Sequence, residues 1–217
     1  AIVYLDPGSY SDAGGAVNNL AIAYNAWIEH ATGGGGDDVI TGNKLANTLK
    51  GNGGNDNLSG GKGGDKLFGN SGADRLSGNN GKDTIDGGSG NDNVRGNGGS
   101  DTLLGGNNND VLTGASGHDK LDGGSGKDKL NGGKGNDSLT GGGDVDTFIF
   151  DRADWGQDTI TDFADGAEKL DMRGSGVKAN QLDVSSSGGN AIVDFGGSNT
   201  ITLIGEAGNI SANDFIF

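Results

Sequence analysis

Cysteine is absent from the 217 residues, proline occurs once, and aromatic residues make up only 6%. Without cysteine there is neither a disulfide framework nor a thiolate metal site, so stability outside a cell must come from another source. No apolar run approaches the roughly 20 residues of a membrane-spanning helix, and membrane insertion is not expected. Hydrophobic residues reach 31% and the formal net charge is −15, a balance that by composition alone favours disorder. The opening Ala1-Ile2-Val3-Tyr4 carries no methionine, basic segment or apolar signal core, so the chain is expected to be a piece of something longer. A pI near 4.2 argues against nucleic acid, whose phosphates call for basic patches. Acidity of this kind suits cations.

Against these deficits stand 48 glycines, where ordinary usage is roughly 7% of residues. Their order shows why they are there. From Gly33 to Ile149 the chain divides into 13 consecutive nonapeptides without an insertion or deletion. Position one is always glycine, and position eight is always apolar, from Ile40 and Leu49 to Leu139 and Phe148. Position six is Asn47 in the second frame and aspartate elsewhere: Asp38, Asp56, Asp65, Asp74, Asp83, Asp92, Asp101, Asp110, Asp119, Asp128, Asp137 and Asp146. The formula G-G-x-G-x-D-x-U-x is a calcium-binding parallel β-helix repeat.

The residue types explain the chemistry. Glycines at positions one, two and four are expected to give a tight turn with positive φ and outward carbonyls. Asn52, Asn70, Asn79 and Asn97 at position two are the next most tolerant of a left-handed backbone. Positions seven to nine are expected as a short strand with one inward side chain. Two frames then form one turn of a flattened helix, and loops 18 residues apart stack. Carbonyls and an aspartate from one loop face those of the next, giving about six hard oxygens, which suits Ca²⁺ better than Mg²⁺ or metals that seek nitrogen or sulfur. Pairs such as Asp38–Asp56 and Asp110–Asp128 run down one edge, and Asp65–Asp83 and Asp119–Asp137 down the other. Thirteen frames allow at most 11 such sites, with frames carrying Asn47, Asn108 and Asp144 departing from the formula. One buried apolar side chain per nine ordered residues is too little to fold the chain, so calcium binding and folding are expected to be one event.

The expected fold is all-β, a right-handed parallel β-roll over residues 33–149, with an N-terminal capping segment over 1–32 and a C-terminal antiparallel β cap over 150–217. In the first segment Val17, Leu20, Ala21, Tyr24, Trp27 and Ile28 fit an amphipathic helix, and irregular strands equally well. In the last, apolar clusters at 148–150, 160–163, 170–172, 191–195, 201–204 and 215–217 are separated by turns such as Gly188-Gly189. A solenoid needs a cap at its open end.

The repeats resemble the RTX (repeats-in-toxin) family. The flanks are similar to the C-terminal domain of serralysins, secreted bacterial zinc metalloproteases. The stretches carrying this are Gly8-Ser9-Tyr10-Ser11-Asp12-Ala13-Gly14-Gly15, Ala21-Ile22-Ala23-Tyr24, Ile28-Glu29, the second frame with Asn43 and Asn47, and the segments 146–150, 158–163 and 168–172. The resemblance implies that Glu29 and the Trp27 carbonyl hold a first calcium with Gly34, Gly36 and Asp38. It groups Asn43, Asn47, Gly51 and Gly53 with the metal-binding residues, implies some 8–12 ions (roughly, for a family in which oxygen loops bind Ca²⁺), and places a type I (ABC-transporter) secretion signal at the C-terminus. It implies a secreted, monomeric, non-catalytic module beside an upstream catalytic domain. The serralysin HExxH zinc motif is missing, and His30 and His118 are the only histidines, so no three-ligand zinc site is available and this chain is not expected to be an enzyme. A carbohydrate-binding or adhesive module remains the alternative, for which a basic or aromatic stripe on one face would be the sign. Paired aspartates acting as in glycosidases are disfavoured, because here they sit in glycine loops at repeat spacing.

Overall fold

The computed structural model describes residues 2–4, 10–11, 20–21, 28–152, 154–164, 167–196, 198–206 and 210–217. Two stacks of strands face each other. The first sheet has ten strands: Ile2–Tyr4, Val39–Thr41, Asn57–Lys62, Arg75–Asn80, Asn93–Gly98, Val111–Ser116, Lys129–Lys134, Thr147–Ile149, Lys169–Asp171 and Phe215–Ile216. The second, of 11 strands, begins with His30–Thr32, Thr48–Gly53, Lys66–Ser71, Thr84–Ser89, Thr102–Asn107, Lys120–Ser125, Ser138–Gly143 and Gln157–Ile160. Within the repeats every pairing is parallel and joins residues 18 apart, as in Ile85 with Leu103 and Leu103 with Leu121. The chain passes from one sheet to the other after each nonapeptide, so this is a parallel β-solenoid.

Most repeat strands are longer than expected. They run for six residues, from position seven through position three of the next frame, as in Lys66–Ser71. The first three glycine-rich positions join the ladder because a glycine without a side chain still offers its N–H and C=O. Along each strand the position-eight residue and the following glycine are buried, while positions seven and three face outward. The core is therefore two files of single side chains, Ile40, Leu58, Leu76, Val94, Leu112 and Leu130 against Leu49, Leu67, Ile85, Leu103, Leu121 and Leu139, all shielded from solvent.

The glycines divide by role in a way that differs from the expectation. Left-handed backbone occurs at positions two and four, as at Gly61 (φ 110°) and Gly81 (φ 142°), and is absent from position one. Asn52, Asn70, Asn79 and Asn97 adopt φ of 73–77°, as their position predicts. Asn108 (φ 79°) and Asp144 (φ 73°) keep the turn where the fourth glycine is lost. Ala115 is the outlier, forced to φ 82° with neither glycine's freedom nor an amide to compensate. Replacing Ala115 by glycine is expected to stabilise the chain by roughly 1 kcal/mol, read as a rise in urea midpoint at saturating calcium.

Beyond the repeats the parallel ladder continues. Ser138 and Leu139 pair with Thr159 and Ile160, Phe148 with Leu170, and Leu170 with Phe215. The antiparallel cap is a three-stranded end to the second sheet: Thr200–Leu203, Asn190–Asp194 and Asp183–Ser187. The Gly188-Gly189 turn joins the last two with φ of 63° and 87°, the double positive φ of a two-residue hairpin. Aromatic residues concentrate here, with Trp155 set 5.5 Å from Phe150 and 5.2 Å from Phe195 between ring centroids. In the N-terminal segment Leu20–Ala21 pairs antiparallel with Tyr10–Ser11, while Val17, Tyr24 and Trp27 lie outside the described residues.

Candidate metal centre

Each position-six side chain reaches back one turn. On the first edge the Asp38, Asp56, Asp74, Asp92, Asp110 and Asp128 N–H groups donate to Oδ1 of Asp56, Asp74, Asp92, Asp110, Asp128 and Asp146 at 2.7–2.9 Å. On the second edge the Asn47, Asp65, Asp83, Asp101 and Asp119 N–H groups donate to Oδ1 of Asp65, Asp83, Asp101, Asp119 and Asp137 at 2.7–2.8 Å. From Asp56 on the first edge and Asp65 on the second, one oxygen of each carboxylate is thus spent on holding the preceding loop in register.

The other oxygen is not. Among the described residues twelve aspartate Oδ2 atoms, from Asp56 to Asp158, are buried without a hydrogen-bond partner. A buried carboxylate oxygen left unpaired is costly, and a dozen in two files call for cations. The surroundings fit. A side chain placed on Gly105 would lie 2.5 Å from both Asp110 Oδ2 and the Gly123 carbonyl oxygen. Position one is therefore glycine to leave room where a carboxylate and the next turn's carbonyl converge. At position four, the corresponding point on Gly99 lies against the Gly81 carbonyl and 3.1 Å from Asp101 Oδ1. Among the described residues no hydrogen bond reaches the Gly81 or Gly99 carbonyl oxygen. Nor, among those residues, do three His, Cys, Asp or Glu side chains gather at one point. A cation here would be held by backbone oxygens and one or two carboxylates, the donor set of calcium. It would supply positive charge between two anionic loops.

Without that charge the carboxylates resist ionisation. Burial, reinforced by neighbouring aspartates in the file, pushes Asp92, Asp101 and Asp128 up to about 6, and Asp110 and Asp119 to about 7. The folded chain thus binds more protons than the unfolded one between about pH 4 and the raised values, so its ion-free stability falls as pH rises through that window. In the unfolded chain the same aspartates, at about 3.9, are already ionised at neutral pH, so folding around calcium takes up and releases few protons there. The calcium midpoint of folding is therefore expected to be nearly equal at about pH 6 and about pH 8, and to rise only as pH falls toward about 4. A several-fold difference between about pH 6 and about pH 8 would contradict this account of the loops.

Of the residues that the resemblance groups around the first calcium, Glu29 falls elsewhere, while the glycines and asparagines lie in the loops. Glu29 is exposed, and Thr48 donates to its carbonyl at 2.7 Å. Its strand pairs His30 with Thr48, so Glu29 stacks over Asn47 on the second edge rather than joining Asp38 on the first. Gly34 donates to Asp38 Oδ2 at 2.6 Å and accepts from Gly53, and the Gly36 backbone underlies Gly54. Gly51 leaves room for Asp56 Oδ2 as Gly105 does for Asp110. Asn43 and Asn47 do come together, but both Nδ2 groups donate to the Ile28 carbonyl, at 3.0 and 3.1 Å. Amide hydrogen bonds therefore stand in the second frame where the other loops present bare carboxylates.

Two acids beyond the repeats extend the files. Asp158 receives the Asp137 N–H at 2.9 Å, is buried, and is pushed up to about 8 by burial and by Asp137. Glu168 takes the place of Asp146 one turn later, and burial with neighbouring carboxylates raises it to about 7. The signal was present in Asp158-Thr159-Ile160 and Glu168-Lys169-Leu170, each an acid two residues before an apolar residue.

Comparison with known proteins agrees with this geometry. The family model of the RTX calcium-binding nonapeptide repeat matches residues 32–67, 59–94, 68–103, 86–121, 95–130 and 122–160, together more than half of the chain. Serralysin from Photorhabdus laumondii subsp. laumondii and metalloprotease AprA from Pseudomonas entomophila are each 50% identical over 48 residues, which is 22% of this chain. Serralysin from Proteus mirabilis is 48% identical over 48 residues. The match spans only 10% of each of these proteases. Among solved structures, extracellular lipase LipA from Serratia marcescens aligns with a TM-score of 0.47 and 20% identity, covering 89% of this chain and 41% of the lipase. The AlgE6R2 subunit of the Azotobacter vinelandii mannuronan C5-epimerase aligns at 0.46 and 31% identity, covering 57% and 91%. The chain belongs to the RTX calcium-binding repeat family.

Proposed function

We propose that the chain is a calcium-triggered folding and export module. In this reading it leaves the cell unfolded through a type I (ABC-transporter) system, as the non-catalytic C-terminal part of a serralysin-like zinc metalloprotease. It then folds outside as a monomer around some 8–12 calcium ions, roughly one per loop pair. The twelve buried, unpartnered aspartate Oδ2 atoms carry the reading: where calcium is scarce they oppose folding, and where it is abundant they become ligands. Far-UV circular dichroism over a calcium titration, with magnesium as control, tests it. A steep coil-to-β transition in calcium alone is expected. Persistent β structure in excess chelator would end the proposal.

A second reading, docking of an acidic polysaccharide, has one observation in its favour. The five strands Asn57–Lys62, Arg75–Asn80, Asn93–Gly98, Val111–Ser116 and Lys129–Lys134 contain no acid, and carry Lys62, Arg75, Arg95 and Lys129, with Lys134 paired to Asp154 at 2.6 Å. On a chain of net charge −15, this is a segregated cationic face. Arg75 and Arg95 border a shallow groove with Asn57, Ser77, Asn93 and Asn97. Retention of the calcium-loaded chain on a uronate polymer, lost in Arg75→Ala/Arg95→Ala, would establish docking; retention unchanged by the double substitution would remove it.

A further inference from the structure

The repeat formula leaves position five open. The structure fills that position with a second ladder. On the first edge the Asn55 N–H donates to Asp37 Oδ1 at 2.7 Å, and the Ala73 N–H to Asn55 Oδ1 at 2.7 Å. Further along, the Asn109 N–H donates to Asn91 Oδ1 at 3.0 Å and the Lys127 N–H to Asn109 Oδ1 at 2.7 Å. On the second edge the His118 N–H donates to Ser100 Oγ at 3.2 Å, the Asn136 N–H to His118 Nδ1 at 2.9 Å, and the Gln157 N–H to Asn136 Oδ1 at 3.0 Å.

The sense of this ladder is opposite to that of the aspartates. A position-five side chain accepts from the turn after it, whereas a position-six aspartate accepts from the turn before it. Where both exist, two adjacent residues of a loop tie it to its neighbour in both directions. Position five has no acceptor at Ala46, Gly64, Ala73, Lys82, Lys127 and Val145, since such side chains offer none. Three of these, Gly64, Ala73 and Lys82, fall in successive frames. On the first edge the ladder is interrupted between Ala73 and Asn91, and on the second it starts only at Ser100. Of these two side-chain ladders, only that of the aspartates joins the turns in the middle of the roll, beside the backbone hydrogen bonds common to all turns.

We propose that position five sets the calcium affinity of each loop pair. This rests on the calcium reading above. An acceptor at position five fixes two successive loops in register before an ion arrives, so the ion does not have to order them, and preorganised loops bind more tightly. Loops without it bind more weakly. The roll then has strong sites around residues 109–137 and weak ones around residues 74–100, a distinction invisible in the repeat formula. Position-five residues are positioning residues, since they touch the loop and not the ion.

Amide hydrogen exchange of the full chain at graded calcium concentrations tests this. In the parent chain, amides around residues 74–100 are expected to lose protection at higher calcium than those around 109–137. Ala73→Asn and Lys82→Asn supply the missing acceptors and are expected to lower the calcium midpoint of the central turns about two- to tenfold, the range of one net hydrogen bond. Asn109→Ala is expected to raise the local midpoint by a similar factor, and Asn109→Ser to restore it. Thermal stability at saturating calcium should change far less, which separates affinity from general stability. Uniform protection along the roll, with midpoints unmoved by Ala73→Asn and Lys82→Asn, would overturn the proposal while leaving the calcium reading intact. Protection that does not depend on calcium at all would remove both.

Discussion

Replacing Asp110 with alanine is expected to raise the calcium concentration needed for folding at least about tenfold, equivalent to 1.4 kcal/mol. Asp110 stands mid-file with two tasks on two oxygens. Its Oδ1 takes the Asp92 N–H at 2.7 Å, and alanine would leave that buried donor unpaired at a cost of about 1–3 kcal/mol. Its Oδ2 is bare, and in the proposed arrangement it serves the ions on both sides, so one substitution weakens two sites. Asp110→Asn separates the tasks, because the amide oxygen can still accept from Asp92 while the negative charge is gone. The expected order of calcium midpoints, by circular dichroism, is wild type, then Asp110→Asn, then Asp110→Ala. If alanine at this position folds at the parent calcium concentration, the files are not the ion-binding elements.

Leu103→Ala is expected to cost about 2–5 kcal/mol at saturating calcium. Leu103 is fully buried and stacked between Ile85 and Leu121 in its file. In an ordinary core neighbours would lean into the gap. Here the only other inward residue of its strand is Gly105, which has no atoms to offer, and the strands are pinned on both sides by parallel hydrogen bonds about 4.8 Å apart. The cavity should remain open. Ile85→Val, which removes one methyl group, is expected to cost only about 0.5–1.5 kcal/mol. Urea unfolding with calcium held in excess measures both. Similar losses for the two would mean that the roll can collapse laterally.

The nonapeptide period carried most of the fold in plain view, because glycine at position one, aspartate at six and an apolar residue at eight have different physical duties that do not substitute for one another. The reason for the first glycine was not legible. Positive φ explains Gly61 and Gly81, but position one is glycine because Asp Oδ2 and a carbonyl occupy the space of its side chain, a three-dimensional fact with no local signature. The extra length of the strands was hidden for a related reason, since glycine-rich stretches read as loops until a partner 18 residues away pairs with them. Asp158 escaped because Asp137 and Asp158 are 21 residues apart, so the frame count broke while the ladder did not. The position-five ladder had no sequence signal at all: aspartate, asparagine, serine and histidine share only a lone pair aimed at the next turn. The groupings inferred for Glu29, Asn43 and Asn47 came from resemblance, and pairing of His30 with Thr48 puts Glu29 on the other edge from Asp38.

The constant separation of 18 residues between paired strands has a mechanical consequence. Tension applied between the ends of such a solenoid acts on one terminal turn at a time, since each turn is bonded only to its neighbours. Peeling off a turn frees 18 residues, a contour length of about 60 Å, whichever turn it is. Force–extension traces of the roll should therefore show a sawtooth of even pitch, with the height of each tooth set by how firmly that pair of loops is clasped.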